Sequence, residues 1–285
     1  MKKRILLLGA TGMAGHVAYY YLKATEKYDI TNVVFRRKLT DDSIILDITD
    51  EIAVEKLIKK TNPDIILNCV GVLIKGSQLH SDNAIYINAY FPHLLERLSA
   101  ENGAKLIHIS TDCVFSGLKG DYLETDIRDA DDVYGRSKAL GEIINEKDLT
   151  IRTSIIGPEL KSDGEGLFHW LMNQEGTING YTEVFWGGVT TLELVKAIDW
   201  SIDKDIKGLF HLTNGTKITK YALLQLIKEI WNINNILILP NEDKKSDKSL
   251  LKSEWIDYQV PSYVQMLNDL HKWMLEKKEL YVYFE

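Results

Sequence analysis

The chain has 285 residues, 45% of them hydrophobic and 26% charged, with a formal net charge of −7; it is long enough to bury a substantial core as one large domain or two unequal ones. An acidic balance with scattered lysines speaks against nucleic acid as a partner, and no apolar run approaches the roughly 20 residues of a membrane span. Two cysteines, Cys69 and Cys113, supply neither a disulfide framework nor a metal spacing, so no bound metal and a reducing, cytoplasmic setting are expected.

The opening stretch MKKRILLLGATG carries the positive lead of a secretion signal, but a glycine ends its apolar run within about five residues, and it reads as a buried first strand. Further apolar runs follow at 30–35, 64–70, 105–110 and 149–156. Between them, EIAVEKLIKKT and YINAYFPHLLERLSAENG have helical periodicity, the second closed by Gly103. Near-continuous apolar strands suit a sheet covered on both faces, so the expected fold class is α/β, a doubly wound parallel sheet of the Rossmann type.

Beyond residue 156 the pattern loosens. GLFHWLM, TTLELVKAIDWSI and ITKYALLQLIKEIW read as helices and KGLFHLTNG as a returning strand. The expected organisation is a dinucleotide-binding domain over 1–156, with about 195–213 packing back on it, and a smaller substrate-binding portion from 157–194 and 214–285. PNEDKKSDKS, residues 240–249, reads as a charged surface loop. The C-terminal stretch reads as a docking helix and a tail of aromatic and apolar residues, which can pack on the body or on a second copy of the chain, leaving a homodimer open.

The turn GATGMAGH follows the first strand and opens a helix, with glycines at 9, 12 and 15. Such a turn lets backbone approach a pyrophosphate, whose charge meets the free N–H groups of the helix start. Gly9, Thr11, Gly12, Met13 and Gly15 are therefore expected at the cofactor, although the order is G-x-x-G-x-x-G rather than G-x-G-x-x-G. Where an NAD-binding unit presents a carboxylate to the ribose, this chain has Arg36 and Arg37. Two guanidinium groups suit a 2′-phosphate, so NADPH is expected over NADH.

The stretch DADDVYGRSKALGE sets Tyr134 four residues before Lys138. The spacing alone is weak, because Tyr19 and Lys23 repeat it in the first helix. Context favours the later pair: the strand KLIHIS delivers Ser110, Thr111, Asp112 and Cys113 to the carboxyl edge of the sheet, where open α/β folds bind ligands. Residues four apart share a helix face, so Lys138 is expected beside Tyr134, where its ammonium lowers the phenol pKa and makes Tyr134 an acid toward a carbonyl oxygen held by Thr111.

These stretches, with YLETD, IRTSIIG and GLFHLTNG in order, resemble the extended short-chain dehydrogenases/reductases, most closely the dTDP-4-dehydrorhamnose reductase family. The resemblance implies reduction of a 4-keto-6-deoxy sugar on a nucleoside diphosphate, for deoxysugar or surface-polysaccharide synthesis, with a nucleotide-sugar substrate and a catalytic Thr111, Tyr134 and Lys138, the lysine also holding the nicotinamide ribose. It places Asp47 and Ile48 on the adenine side, Val70 and Gly71 along the cofactor, Asn88 as a structural helix asparagine, and Asp112, Cys113, Val114, Trp186 and Thr190 toward substrate.

There are departures. VFWGGVTT keeps only Gly187 and Thr190 of the family's sugar-facing segment, and Cys113 stands where a tyrosine is usual, so the sugar itself is open. In the related GDP-fucose synthase a cysteine and a histidine epimerise the sugar before reduction. Cys113 with His169 would be the equivalent pair here, needing an activated thiolate. A non-catalytic NADP-binding regulatory subunit, as in the beta subunit of methionine adenosyltransferase, is the alternative of another class. Trp170 and Trp186 could stack on a base, with packing as their ordinary role, and Arg152 could meet a diphosphate.

Overall fold

The computed structural model describes residues 1–281; the last residues of the expected aromatic tail, 282–285, lie outside the described residues. In chain order the elements are β1 (Lys3–Leu8), α1 (Met13–Ala24), β2 (Tyr28–Val34), β3 (Ile44–Ile45), α2 (Glu51–Thr61), β4 (Ile65–Asn68), α3 (Ile74–Leu79), α4 (Ser81–Ile85), a π-helical turn (Tyr86–Tyr90), α5 (Phe91–Glu101), β5 (Lys105–Thr111), α6 (Val133–Leu140), β6 (Leu149–Thr153) and β7 (Ile155–Ile156). There follow α7 (Leu167–Met172), β8 (Gly176–Trp186), β9 (Val189–Thr190), α8 (Thr191–Asp203), β10 (Gly208–His211), β11 (Ile218–Thr219), α9 (Lys220–Ile230), β12 (Ile236–Asp247) and α10 (Tyr263–Glu276).

The main sheet has seven parallel strands in the order β10-β6-β5-β4-β1-β2-β3. Along β1, successive side chains serve opposite faces: Ile5 and Leu7 join a core with α1, α8, α9 and α10, while Leu6 and Leu8 join one with α2 and α5. This two-sided burial is why the strands carry little polar alternation. The chain is a Rossmann-like α/β fold. Its strand order reverses between β1 and β4, and in such sheets a crevice opens at that point outside the carboxyl ends of the strands.

The returning strand β10 pairs with β6, and α8 packs beside α1. The single run expected at 149–156 divides: β6 stays in the main sheet while β7 pairs with β9 in a separate two-stranded ribbon. A third sheet has the order β11-β8-β12. Here the expected charged loop is corrected, because residues 240–247 continue β12, with a register shift between Asn241 and Lys245. β12 is an edge strand, so Pro240 and its exposed charges cost no interior ladder bonds and discourage further pairing.

Candidate active site

The glycine turn between β1 and α1 is tight. Gly9 has φ +78°, and Gly12 N donates to Gly9 O at 2.9 Å. A Cβ on Gly15 would stand 2.1 Å from Gly9 O, so only glycine lets the helix seat there. The first turn of α1 holds no acidic side chain, which leaves its positive end open to an anion.

A cleft of about 520 Å³ lies at the strand ends and is lined by Gly12 and Met13 from this turn, Cys69 to Val72 after β4, Ser110 to Cys113 at and just past the end of β5, and Tyr134 and Lys138 from α6. Helix α6 reaches it because Asp132 caps Gly135 N at 2.8 Å and because Gly135 has no side chain: a Cβ there would lie 2.2 Å from Cys113 O. Asn88, in the π-helical turn, holds both backbone groups of Val72, accepting from N at 2.9 Å and donating to O at 3.0 Å. The expected structural asparagine thus fixes one wall of the cleft.

Thr111 Oγ1 donates to Asp112 Oδ1 and accepts from Cys113 N, both at 3.1 Å. Lys138 Nζ donates to Ile109 O at 2.8 Å and stands 3.4 Å from His108 Nε2. Burial brings the Lys138 ammonium down to about 8, with Glu142 and Cys69 pulling the other way.

The expected acidification of Tyr134 by Lys138 is corrected. Burial pushes the Tyr134 phenol up, Cys113, Asp112 and Asp132 add to the shift, and the Thr111 hydrogen bond opposes it; Lys138 has turned its charge toward the backbone of β5. Activation of Cys113 is corrected in the same way. Burial and then Asp112 push its thiol up to about 12, and His169 lines a neighbouring depression with Nε2 against Ser162 O at 3.0 Å. The earlier Y-x-x-x-K match forms a real contact, Lys23 Nζ to Tyr19 OH at 2.8 Å, but Tyr19 belongs to the core beside α1.

The comparisons with known proteins decide the family. Residues 3–253 match the RmlD substrate binding domain. The chain belongs to that family. Among curated relatives of this RmlD-family chain, methionine adenosyltransferase 2 subunit beta from Bos taurus is 24% identical over 97% of this chain and 90% of its own length. A dTDP-4-dehydrorhamnose reductase from Aggregatibacter actinomycetemcomitans is 31% identical over 53% of this chain and 51% of its own. Among solved structures, the dTDP-4-dehydrorhamnose reductase of Bacillus anthracis in complex with NADP shares the fold, with TM-score 0.82 and 24% identity over 95% of this chain and 99% of that one.

In this RmlD-family chain the structure brings together in one cleft Gly12, Met13, Val70, Gly71, Thr111, Asp112, Cys113, Tyr134 and Lys138. Gly9, Thr11 and Gly15 form the adjoining turn. Arg36 and Arg37 are exposed just past β2, with no carboxylate partner among the described residues and Arg36 over the Phe35 ring at 4.7 Å. Asp47 is exposed and accepts from Thr49, with Ile48 half-buried beside it.

Val114, Trp186, Thr190 and Arg152 are placed in packing instead. Val114 sits in a small core with Phe115 and Tyr122. Thr190 caps α8 through Glu193 N, and Trp186 Nε1 donates to Ser154 Oγ at 2.9 Å. Arg152 is 1% exposed and locked on Glu142, which removes it as a diphosphate ligand. Sequence reasoning did not single out Ser154, Glu159, Lys161, Glu165 and Gly166, which also line the cleft. The strand-end rule applied to IRTSIIG would have found Ser154; the loop residues carry no local signature.

Proposed function

We propose that the chain is an NADPH-dependent oxidoreductase that reduces a keto group on a nucleotide-linked sugar. The observation that carries this reading is the meeting of Thr111, Tyr134 and Lys138 in the cleft where the glycine turn of α1 also opens. The residues present fit a dinucleotide: the Gly9–Gly15 contact leaves no room for side chains, the start of α1 is free of acid, and Arg36 and Arg37 are exposed, have no carboxylate partner among the described residues and are suited to a 2′-phosphate. Bound there, NADPH supplies the hydride.

The chain's own residues then manage the oxygen and its proton. A buried phenol that keeps its proton at neutral pH is a donor, so Tyr134 protonates the carbonyl oxygen. Thr111 can turn its hydroxyl from Asp112 to the same oxygen and orient it. Lys138 holds the ribose, with its amine also directed at Ile109 O. A second depression of about 540 Å³ between α7, β8, α9 and β12, lined by Trp170, Tyr181, Lys220, Lys244 and Lys245, suits the nucleotide diphosphate of the substrate. Cys113 is a wall residue in this reading, and epimerisation is not part of it.

The full-length match to methionine adenosyltransferase 2 beta subunits favours one second reading, an NADP-binding regulatory subunit. One variant separates them. Oxidation of NADPH against a panel of keto-sugar nucleotides is expected in the wild type, and Tyr134→Phe should lower turnover by roughly 10² to 10⁴-fold, as for a lost general acid, while NADPH binding persists. NADPH binding without turnover on any sugar, or turnover indifferent to Tyr134, favours the regulatory reading.

A further inference from the structure

Behind Lys138 lies a line of buried polar groups that the reduction does not explain. Val70 N–H donates to Asn68 Oδ1 at 3.1 Å, which fixes the orientation of that amide. Its Nδ2 therefore faces His108 Nδ1, also at 3.1 Å. An amide nitrogen only donates, so His108 Nδ1 must accept, and the single proton of a neutral imidazole sits on Nε2. That N–H points at Lys138 Nζ, 3.4 Å away. Asn68 and His108 are each 1% exposed, so water does not scramble the assignment.

We propose that His108 is a positioning residue for Lys138: Asn68 holds it as the Nε2–H tautomer, and it presents a hydrogen-bond donor, not an acceptor, to the lysine amine. A donor facing an ammonium disfavours the ammonium, while a neutral amine can accept from it. The line from Val70 in the cleft wall to Lys138 thereby sets how readily the lysine gives up its proton near neutral pH. The other groups bearing on Lys138 are Glu142, just past the end of α6, and Cys69, just past β4, both favouring the ammonium. Burial most of all, then Lys138 itself and His93 on α5, disfavour a charged His108. The effect on turnover rests on the reductase reading; the tautomer does not.

Two measurements test it. Long-range proton–nitrogen correlation spectra of protein with ¹⁵N-labelled histidine should show the Nε2–H tautomer for His108 from pH 6 to 9; an Nδ1–H tautomer or an imidazolium at pH 7 overturns the proposal. In Asn68→Asp the carboxylate accepts from Nδ1–H, the tautomer reverses, and Nε2 becomes an acceptor for the ammonium. The pH above which NADPH oxidation declines should then move up by about one unit, with KM for NADPH within about twofold at pH 7. If the wild type shows no turnover, the reductase reading fails alone, and the same upward shift is read in the pH dependence of NADPH affinity by nucleotide fluorescence. A tautomer that stays put, or a reversed tautomer with no shift in pH dependence, contradicts the role given to His108.

Discussion

Lys138 is held in a form that the fold resists. Its burial brings it to about 8 from 10.5, so between those values the folded chain has released a proton that the unfolded chain keeps. By linkage, its contribution to stability rises as pH climbs from about 8 to 10.5, and at pH 7 the folded state carries the cost of a buried ammonium. Lys138→Met should therefore remove activity while raising stability at pH 7 by up to about 3.5 kcal/mol, each pH unit between 10.5 and about 8 being worth about 1.4 kcal/mol. Urea unfolding of both proteins at pH 7 and pH 10 checks it: the gain should shrink at the higher pH. A destabilised variant at pH 7 would mean that packing around the lysine stem outweighs its charge.

At the scale of elements, what could be read in advance is what local chemistry dictates. The strands β1, β4 and β5 were legible as apolar runs, and the glycine turn and the ends of β5 and α6 as motifs, because each is written in consecutive residues. Three features were not legible, each for a stated reason. The polar length of β12 is an edge strand whose order comes from main-chain pairing to β8, about 60 residues earlier in sequence, and leaves no apolar pattern. Lys138 meets β5 through Ile109 O and His108, whose partner Asn68 is contributed by another strand. The core placement of Arg152 depends on Glu142, which the sequence presents only as one more helix carboxylate. The β12 finding carries a prediction. Lys244 lies 5.1 Å from the Tyr181 ring centre, and Lys245 is 4.0 Å from Glu183, both in the depression assigned to the diphosphate. Replacing both with serine should raise KM for the sugar nucleotide by roughly tenfold, with kcat changed little, as for removal of uniform binding; added salt should weaken the wild type more than the variant. A lowered kcat at constant KM would place those lysines elsewhere in the cycle.

Over the whole molecule, the dominant pH sensitivity is set by three buried histidines. His16 bonds Gly12 O and Tyr281 OH, His108 bonds Asn68, and His211 accepts from Arg152 Nη1 at 2.8 Å. Burial pushes all three down, His16 and His211 to about 4, with Arg152 adding to the shift at His211. In each case the unfolded chain binds a proton near 6.5 that the folded chain refuses. Their contribution is complete above about 6.5 and is lost as pH falls below it, down to about 4 for His16 and His211, at about 1.4 kcal/mol per pH unit for each histidine. Glu142 acts lower: burial alone would raise it, but Arg152, Ser110 and Arg128 together hold it below the usual carboxylate range, so its share is lost only as pH drops below about 4.5. The expected urea midpoint is flat from pH 8 to 7 and falls from 6.5 to 4.5, offset in part by Asp112 and Glu193, which burial raises and which therefore bind protons more readily in the fold than in the unfolded chain. His211→Gln, which keeps an acceptor for Arg152 without the proton site, should flatten that fall by about one third, since one of three similar sites is removed. A midpoint that stays level down to pH 5 would mean that all three imidazoles take up protons inside the fold, whereas a fall reduced by about one third would point to one of them, with the chain Asn68–His108–Lys138 the first place to look.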